Sequence, residues 1–361
     1  MKILFLNTNI GYGGASKMIV WVANQCAEDG YDVTFLTYRD NEVRQAVDSK
    51  VKLVHEDLED AGGDVQSLHT VKWLHCFIQK NRFDVGVAFL SPSIFRMALA
   101  AKGTKMKLLF SHRADPYFKL STSSLKANVI TWLNNWAFDQ ADFYVFQTKM
   151  AQAYYGVAIQ NRSTVIPNPI RPMQRTELRD GNIRKSFVAV GRMELKQKRQ
   201  DVMIDAFNLL SPKYPDFKLE IYGDGEDKEK VKQMAASNPN IRLMGKTNNV
   251  ATVIQNALAT VLSSDYEGIP NALLESMSLG VPSISTDCSP GGAAMLIRNK
   301  ENGMLTPRGD AVALAEAMEY VITNPEEARK MGERAMEVNV LFSENVIADK
   351  WKKVLNKLMQ Q

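Results

Sequence analysis

The sequence predicts an α/β fold made of two successive Rossmann-like domains, each built on a parallel sheet. Three observations predict it. Short apolar runs of strand length alternate with amphipathic stretches of helical period along nearly the whole chain, the pattern of repeated βα units. A glycine-rich turn joins the first apolar run to the first helical stretch, as in a βαβ nucleotide-binding unit. The series is interrupted once, around 165–185, where two close prolines and a polar run read as a passage between domains.

A chain of 361 residues suits two domains of ordinary size better than one core. The expected division is 1–170 and 171–344, with a last helix in 345–361. Hydrophobic residues make up 45% and charged residues 23%, the balance of a soluble globular protein. A net charge of +4 is too small to argue for nucleic acid. Cys26, Cys76 and Cys288 are odd in number and widely spaced, fitting neither a disulfide framework nor a zinc site, so three core thiols in a reducing cytoplasm are expected. The opening apolar run, 3–6, is too short for a signal peptide and reads as a strand. No run of about 18 apolar residues marks a membrane span.

In chain order, strand 3–6 leads through Asn9, Gly11, Gly13 and Gly14 into a helix over 17–29, and strand 32–37 completes the first βαβ unit. Glycines there let a backbone approach a ligand, and the helix start offers amides to a phosphate or a sugar hydroxyl. Asp40 stands where a carboxylate would hold an adenine ribose, but the glycine turn ends in Ser16, which weakens a dinucleotide reading; the turn could also be purely structural. Further strands are predicted at 51–54, 84–89, 108–111 and 145–148, with helices over 65–80, 94–101 and 149–155. His112 is the one histidine at the C-terminal end of a buried strand, the place where open α/β sheets carry their chemistry.

The second series starts with strand 187–190, followed by Arg192, Lys196 and Lys198 and a helix through Phe207. Strand 218–222, the turn Gly223-Asp224-Gly225-Glu226, a helix over 228–236 and strand 241–244 with Gly245-Lys246-Thr247 come next. Asp224, Glu226 and Asp227 read as a turn and helix start with favourable charge, so no metal site is expected. Strand 257–262 then runs into Ser264-Asp265-Tyr266-Glu267-Gly268-Ile269-Pro270-Asn271, and a helix follows until Gly280 and Pro282 stop it. Glu267 falls in the loop and Glu275 about one turn inside the helix, so both carboxylates can face the crevice beyond the strand end. The first amides of that helix are free donors suited to a phosphate. Taken singly, the two glutamates would be a turn residue and a solvated helix residue.

Together, Glu267-Gly-Ile-Pro-Asn-Ala-Leu-Leu-Glu275, Gly280-Val-Pro, Thr286-Asp287-Cys288 and Asn302-Gly303 resemble the nucleotide-sugar site of the family-4 retaining glycosyltransferases. The resemblance covers most of the chain. It implies the GT-B arrangement of two facing Rossmann-like domains, with the donor against the second domain, the acceptor against the first and the last helix crossing back to the first. It implies that Glu275 binds the ribose hydroxyls and Glu267 the donor sugar. It further implies that Arg192 and Lys198 clamp the diphosphate, with Lys196 as a substitute. Gly13, Gly14, Gly245, Lys246, Gly268, Ile269, Pro270 and Asn271 line the nucleotide-sugar in this reading, and His112 joins the catalytic group. His112-Arg-Ala-Asp-Pro resembles a Ser-Glu-Arg-Asn-Asp-Pro segment of members that build surface polysaccharides or lipid-linked glycans, which favours a UDP-hexose or UDP-N-acetylhexosamine donor and a glycan or polyprenyl-diphosphate-linked acceptor. No metal cofactor is expected where cations neutralise the leaving diphosphate.

Between Lys102 and Phe138, Lys102, Lys105, Lys107, Arg113, Lys119 and Lys126 crowd with Tyr117, Phe118, Trp132 and Trp136. This is either a face for an anionic membrane, which would make a cytoplasmic enzyme peripheral, or a solvated basic face over core tryptophans. Two other activities fit the same residues: a nucleotide-sugar epimerase, and a sugar-nucleotide-binding protein without turnover.

Overall fold

The computed structural model describes residues 1–11, 14–38, 45–56, 68–113, 115–117, 125–170 and 183–360. The chain divides into two compact units, Met1–Ile166 together with Ile347–Gln361, and Pro167–Val346. In the first unit the elements run β1 (Lys2–Asn7), α1 (Gly14–Glu28), β2 (Asp32–Thr37), β3 (Lys52–His55), α2 (Leu68–Asn81), β4 (Val85–Ala88), α3 (Ser91–Ala100), β5 (Lys107–His112), α4 (Leu125–Phe138), β6 (Phe143–Phe146), α5 (Lys149–Ala153), α6 (Val157–Gln160) and β7 (Ser163–Val165). The second unit begins its sheet with β8 (Arg184–Val190), α7 (Leu195–Lys198), α8 (Gln200–Leu210), β9 (Lys218–Tyr222), α9 (Lys228–Ala235), β10 (Ile241–Gly245) and α10 (Val250–Ile254). It continues with β11 (Ala257–Leu262), α11 (Asn271–Ser278), β12 (Ser283–Thr286), α12 (Gly292–Leu296), β13 (Met304–Thr306), α13 (Ala311–Thr323), α14 (Pro325–Ala335) and α15 (Val338–Leu341). The last helix, α16 (Glu344–Gln360), carries the chain back into the first unit.

Both sheets are parallel, in the orders β3-β2-β1-β4-β5-β6-β7 and β10-β9-β8-β11-β12-β13. Helices on both faces explain why the central strands are continuous apolar runs: in β1 only Lys2 is not buried, and β4 is buried throughout. In each sheet the first strand has its sequence successor on one side and a later strand on the other. The order therefore reverses between β1 and β4 and between β8 and β11, and ligands of open α/β sheets bind beyond the strand ends at such a point. The loops after β8 and β11 carry Lys198 and Glu267.

α16 closes the first core rather than decorating it. Ile347, Trp351, Val354, Leu355 and Leu358 pack with β1, α1 and β4, and the Trp351 ring stacks on Phe89 at 5.7 Å. Burying such a tryptophan removes a large apolar area from water and anchors the helix. Cys26 and Cys288 are buried, with burial pushing both thiols up to about 12, but Cys76 is exposed on α2 and is no core residue. Where one helix was expected from the lysine loop through Phe207, α7 and α8 are separate. Arg199 between them adopts φ 50°, ψ 47°, a left-handed conformation that ends an α-helix. Among the described residues, no helix is long and apolar enough to cross a membrane.

Candidate functional site

The strongest convergence of charge lies at the switch point of the second sheet. Lys198 Nζ forms an ion pair with Glu267 Oε1, which also accepts from Ser264 Oγ at 3.0 Å. The two side chains are only 18% and 12% exposed, so water screens the pair weakly. The Lys198 stem runs past Gly191: a Cβ there would lie 3.7 Å from Lys198 Cε, an ordinary contact distance.

Hydrogen bonds to backbone carbonyls hold the two loops together. Asp265 N–H donates to the Gln197 carbonyl at 2.9 Å, Gln197 Nε2 to the Tyr266 carbonyl at 3.1 Å, and Ser263 Oγ to the Lys198 carbonyl at 2.8 Å. From the other side, Glu267 N–H donates to the Ser289 carbonyl at 2.6 Å and Thr286 Oγ1 to the Ser264 carbonyl at 2.6 Å. Gly292 seals this side: a Cβ there would stand 1.4 Å from the Gly268 carbonyl oxygen, so only glycine fits.

The nucleotide-facing residues predicted from the sequence fall into two groups. Pro270 caps α11, and Leu274 N–H closes the first helical bond to its carbonyl at 3.0 Å. The amides of 271–273 lie ahead of that bond, as the anion-binding reading requires. Asn271 accepts from Asn168 Nδ2 at 3.0 Å through its Oδ1, and Glu275 sits half-buried one turn along, between buried Leu274 and Ser276. Ile269, by contrast, is turned into the core with Leu273, Met277 and Cys288, which leaves only its backbone for a ligand. Gly245 ends β10 with φ +76° and accepts from Gly223 N–H at 2.8 Å, and Lys246 stands exposed 3.5 Å from Asp224. The Gly225 N–H, more than the nearby lysines, holds the Asp224 carboxyl below the usual range.

Arg192 is not gathered into this cluster. Its side chain is 70% exposed and pairs with Glu194 at 3.2 Å and with Gln197 at 3.3 Å. Met193, the next residue, is fully buried, while the Arg192 side chain stands outward. From the same segment, the Lys198 ammonium reaches Glu267. Sequence reasoning passed over Ser264, Gln197, Arg199 and Asp265, which hold the two loops, because loop-to-loop bonds have no period in the sequence. Among the described residues, no group of three or more His, Cys, Asp or Glu side chains could hold a metal ion.

In the first unit, His112 is the last residue of β5. Its Nδ1 meets Tyr155 Oη at 3.0 Å, and the ring packs edge-on against Phe138 at 5.7 Å. Burial drives its pKa down to about 4, against a weaker opposing pull from Asp115, so the imidazole is neutral at pH 7. Gly14 opens α1, while Gly13, Asp40, Phe118 and Lys119 lie outside the described residues. The basic segment is not one face. Lys107 pairs with Asp142 at 3.3 Å, Lys102 sits 4.4 Å over the Trp136 ring, and Arg113 is half-buried with its guanidinium over the Phe89 ring, desolvation lowering its pKa to about 9. Phe138 is a core residue, but Trp132 is 66% exposed, with Val129 one turn before it.

Comparison with known proteins agrees with the fold. Residues 13–169 match the glycosyl transferase 4-like domain and residues 173–338 the glycosyl transferases group 1 family. An uncharacterized glycosyltransferase of Haemophilus influenzae is 25% identical over 98% of this chain and 99% of its own length. A Campylobacter jejuni α-1,4-N-acetyl-D-galactosaminyltransferase, named for a diphospho-undecaprenol-linked glycan, is 22% identical over 98% of both chains. Two solved structures share the fold. The lipopolysaccharide outer core galactosyltransferase WaaB superposes with a TM-score of 0.79 at 19% identity, covering 99% of both chains. Anabaena HepE in complex with UDP gives 0.78 at 17% identity, covering 99% of this chain and 100% of that one. With two family matches that together span both sheets, the chain belongs to the GT-B glycosyltransferases, its first half of the 4-like type and its second half of group 1.

Proposed function

We propose that the protein transfers a hexose or N-acetylhexosamine from a UDP-sugar to a glycan or lipid-linked acceptor, with retention of anomeric configuration. The observation that carries this reading is the Lys198–Glu267 pair at the switch point, beside the first amides of α11. Lys198 would neutralise the leaving diphosphate with help from those amides, Glu267 would orient the donor sugar, and Glu275 would accept from the ribose hydroxyls. Arg192, exposed on its loop, would join the diphosphate by swinging from Glu194, a partner that holds it only weakly at such exposure. The acceptor would bind on the first unit, where neutral His112 offers a hydrogen-bonding group without adding charge. Domain limits of 1–170 and 171–344 are part of the same reading.

The choice of UDP rests on relatives: HepE is described in complex with UDP, and the Campylobacter enzyme is named for a lipid-linked acceptor. The test is nucleotide release from UDP-glucose, UDP-galactose, UDP-N-acetylglucosamine and UDP-N-acetylgalactosamine, each with and without an undecaprenyl-diphosphate glycan. Acceptor-dependent release from one donor supports transfer, and an α-anomeric product supports retention. Interconversion of donors without an acceptor would indicate an epimerase, and binding without turnover a sugar-nucleotide receptor.

A further inference from the structure

Arg199 is the residue after Lys198, and its backbone adopts the left-handed conformation that side-chain-bearing residues rarely occupy. Its side chain explains why an arginine is held there. The guanidinium grips Asp201 through Nε at 3.1 Å to both carboxylate oxygens and through Nη2 at 2.9 Å. Its remaining nitrogen, Nη1, donates to Asp265 Oδ2 at 2.9 Å. Asp265 lies in the same loop as Glu267, and its carbonyl receives Ser289 N–H at 3.0 Å and Arg308 Nη1 at 3.4 Å. A Cβ added to Gly309, after β13, would lie 3.8 Å from Arg199 Nη1, so the guanidinium lies near this turn as well. One side chain thus ties the start of α8 to the loop after β11 at the carboxyl edge of the sheet. Only a planar, forked cation can bond two carboxylates in this way.

We propose that Arg199 is a positioning residue: by bridging Asp201 and Asp265 it fixes the loop after β8 against the loop after β11, and so sets the Lys198–Glu267 geometry needed for sugar transfer. The inference rests on the reading of Lys198 as the diphosphate counter-ion. A purely structural arginine would serve stability alone, whereas a positioning residue at a left-handed site would be retained against its own backbone preference.

Arg199→Gly separates the two roles, because glycine relaxes the left-handed turn while the bridge is lost. With whichever of the four UDP-sugars turns over, the expected result is a melting midpoint close to the parent's, a donor KM changed little, and a kcat lower on the order of tenfold. Asp265→Asn should lower kcat in the same direction, and Arg199→Lys, which keeps the charge but cannot span both carboxylates, should fall between parent and glycine variant. In a crystal structure of the glycine variant the Lys198–Glu267 pair should be open or displaced, a readout that needs no donor. A parental kcat in Arg199→Gly while Lys198→Ala is inactive would overturn the proposal and leave the site reading intact. A parental kcat in Lys198→Ala would instead defeat the site reading. An unmoved Lys198–Glu267 pair in the crystal, or a loss of activity that only follows a lower melting midpoint, would also overturn the proposal.

Discussion

Lys198 and Glu267, 69 positions apart in sequence, close an ion pair across the switch point of the second sheet. A cation that follows charge onto a leaving diphosphate contributes most in the transition state, so Lys198→Ala should lower kcat roughly a hundredfold or more. Ribose hydroxyls are present in ground and transition states alike, and Glu275→Ala should therefore chiefly raise donor KM, costing on the order of 2 kcal/mol. Saturating-donor kinetics of the two variants separate the roles. A Lys198→Ala enzyme with parental kcat, beside a Glu275→Ala enzyme that loses it at unchanged donor affinity, would reverse the assignment.

If Lys198, Arg192 and helix amides neutralise the diphosphate, turnover should persist after divalent ions are removed. Nucleotide release measured in excess EDTA should stay within about twofold of the untreated rate, a change worth under half a kcal/mol. Loss of activity restored only by magnesium or manganese would show that these cations do not suffice.

Gly292 gives a steric prediction. Its missing Cβ is where the Gly268 carbonyl carbon and oxygen stand, at 2.6 and 1.4 Å, and both are backbone atoms that no rotamer change can move aside. Gly292→Ala should displace the Glu267–Gly268 loop and cost on the order of 1–3 kcal/mol as an overpacked site. Urea denaturation and transfer kinetics should both register the change, with activity falling more than stability because the shift is centred beside Glu267.

Much of the fold was legible because buried parallel strands are apolar on both faces, so 257–262 and 3–6 stand out without an alignment. The passage between units was legible because prolines 167 and 169 bar a helix. What stayed hidden depends on contacts across long stretches of sequence. β7, Ser163–Val165, is short and half-buried, so it carries little apolar signal. The break between α7 and α8 occurs at an arginine, and left-handed residues announce themselves only when they are glycine or asparagine. That Lys198 pairs with Glu267 while Arg192 stands exposed beside buried Met193 is a fact of packing rather than of motif.

Trp132 and Val129 on α4 present exposed apolar surface, and Lys105, just before β5, is exposed as well. Should the first unit dock on an anionic membrane, Trp132→Ala and Lys105→Glu should each weaken co-sedimentation with phosphatidylglycerol vesicles, and only the lysine variant should lose part of the salt sensitivity. Equal binding by parent and both variants would mark these residues as simply solvated.

His112 makes stability depend on pH in a direction that can be worked out. Its folded pKa, about 4, lies below the ordinary value of 6.5, so the unfolded chain binds a proton more readily than the native state between those values. Stability therefore falls as pH drops through that window, and the contribution present above pH 6.5 is spent by about pH 4. The gap corresponds to about 3 kcal/mol. Substituting His112→Gln removes the titrating ring while keeping a hydrogen-bonding partner for Tyr155. Urea unfolding of parent and variant between pH 7 and pH 4 should show the parent losing about 3 kcal/mol more than the variant, whatever the other groups contribute to both. Parallel losses in the two proteins would mean that the imidazole is protonated in the native state as readily as in water, and the neutral hydrogen-bonding role assigned to His112 would fall with it.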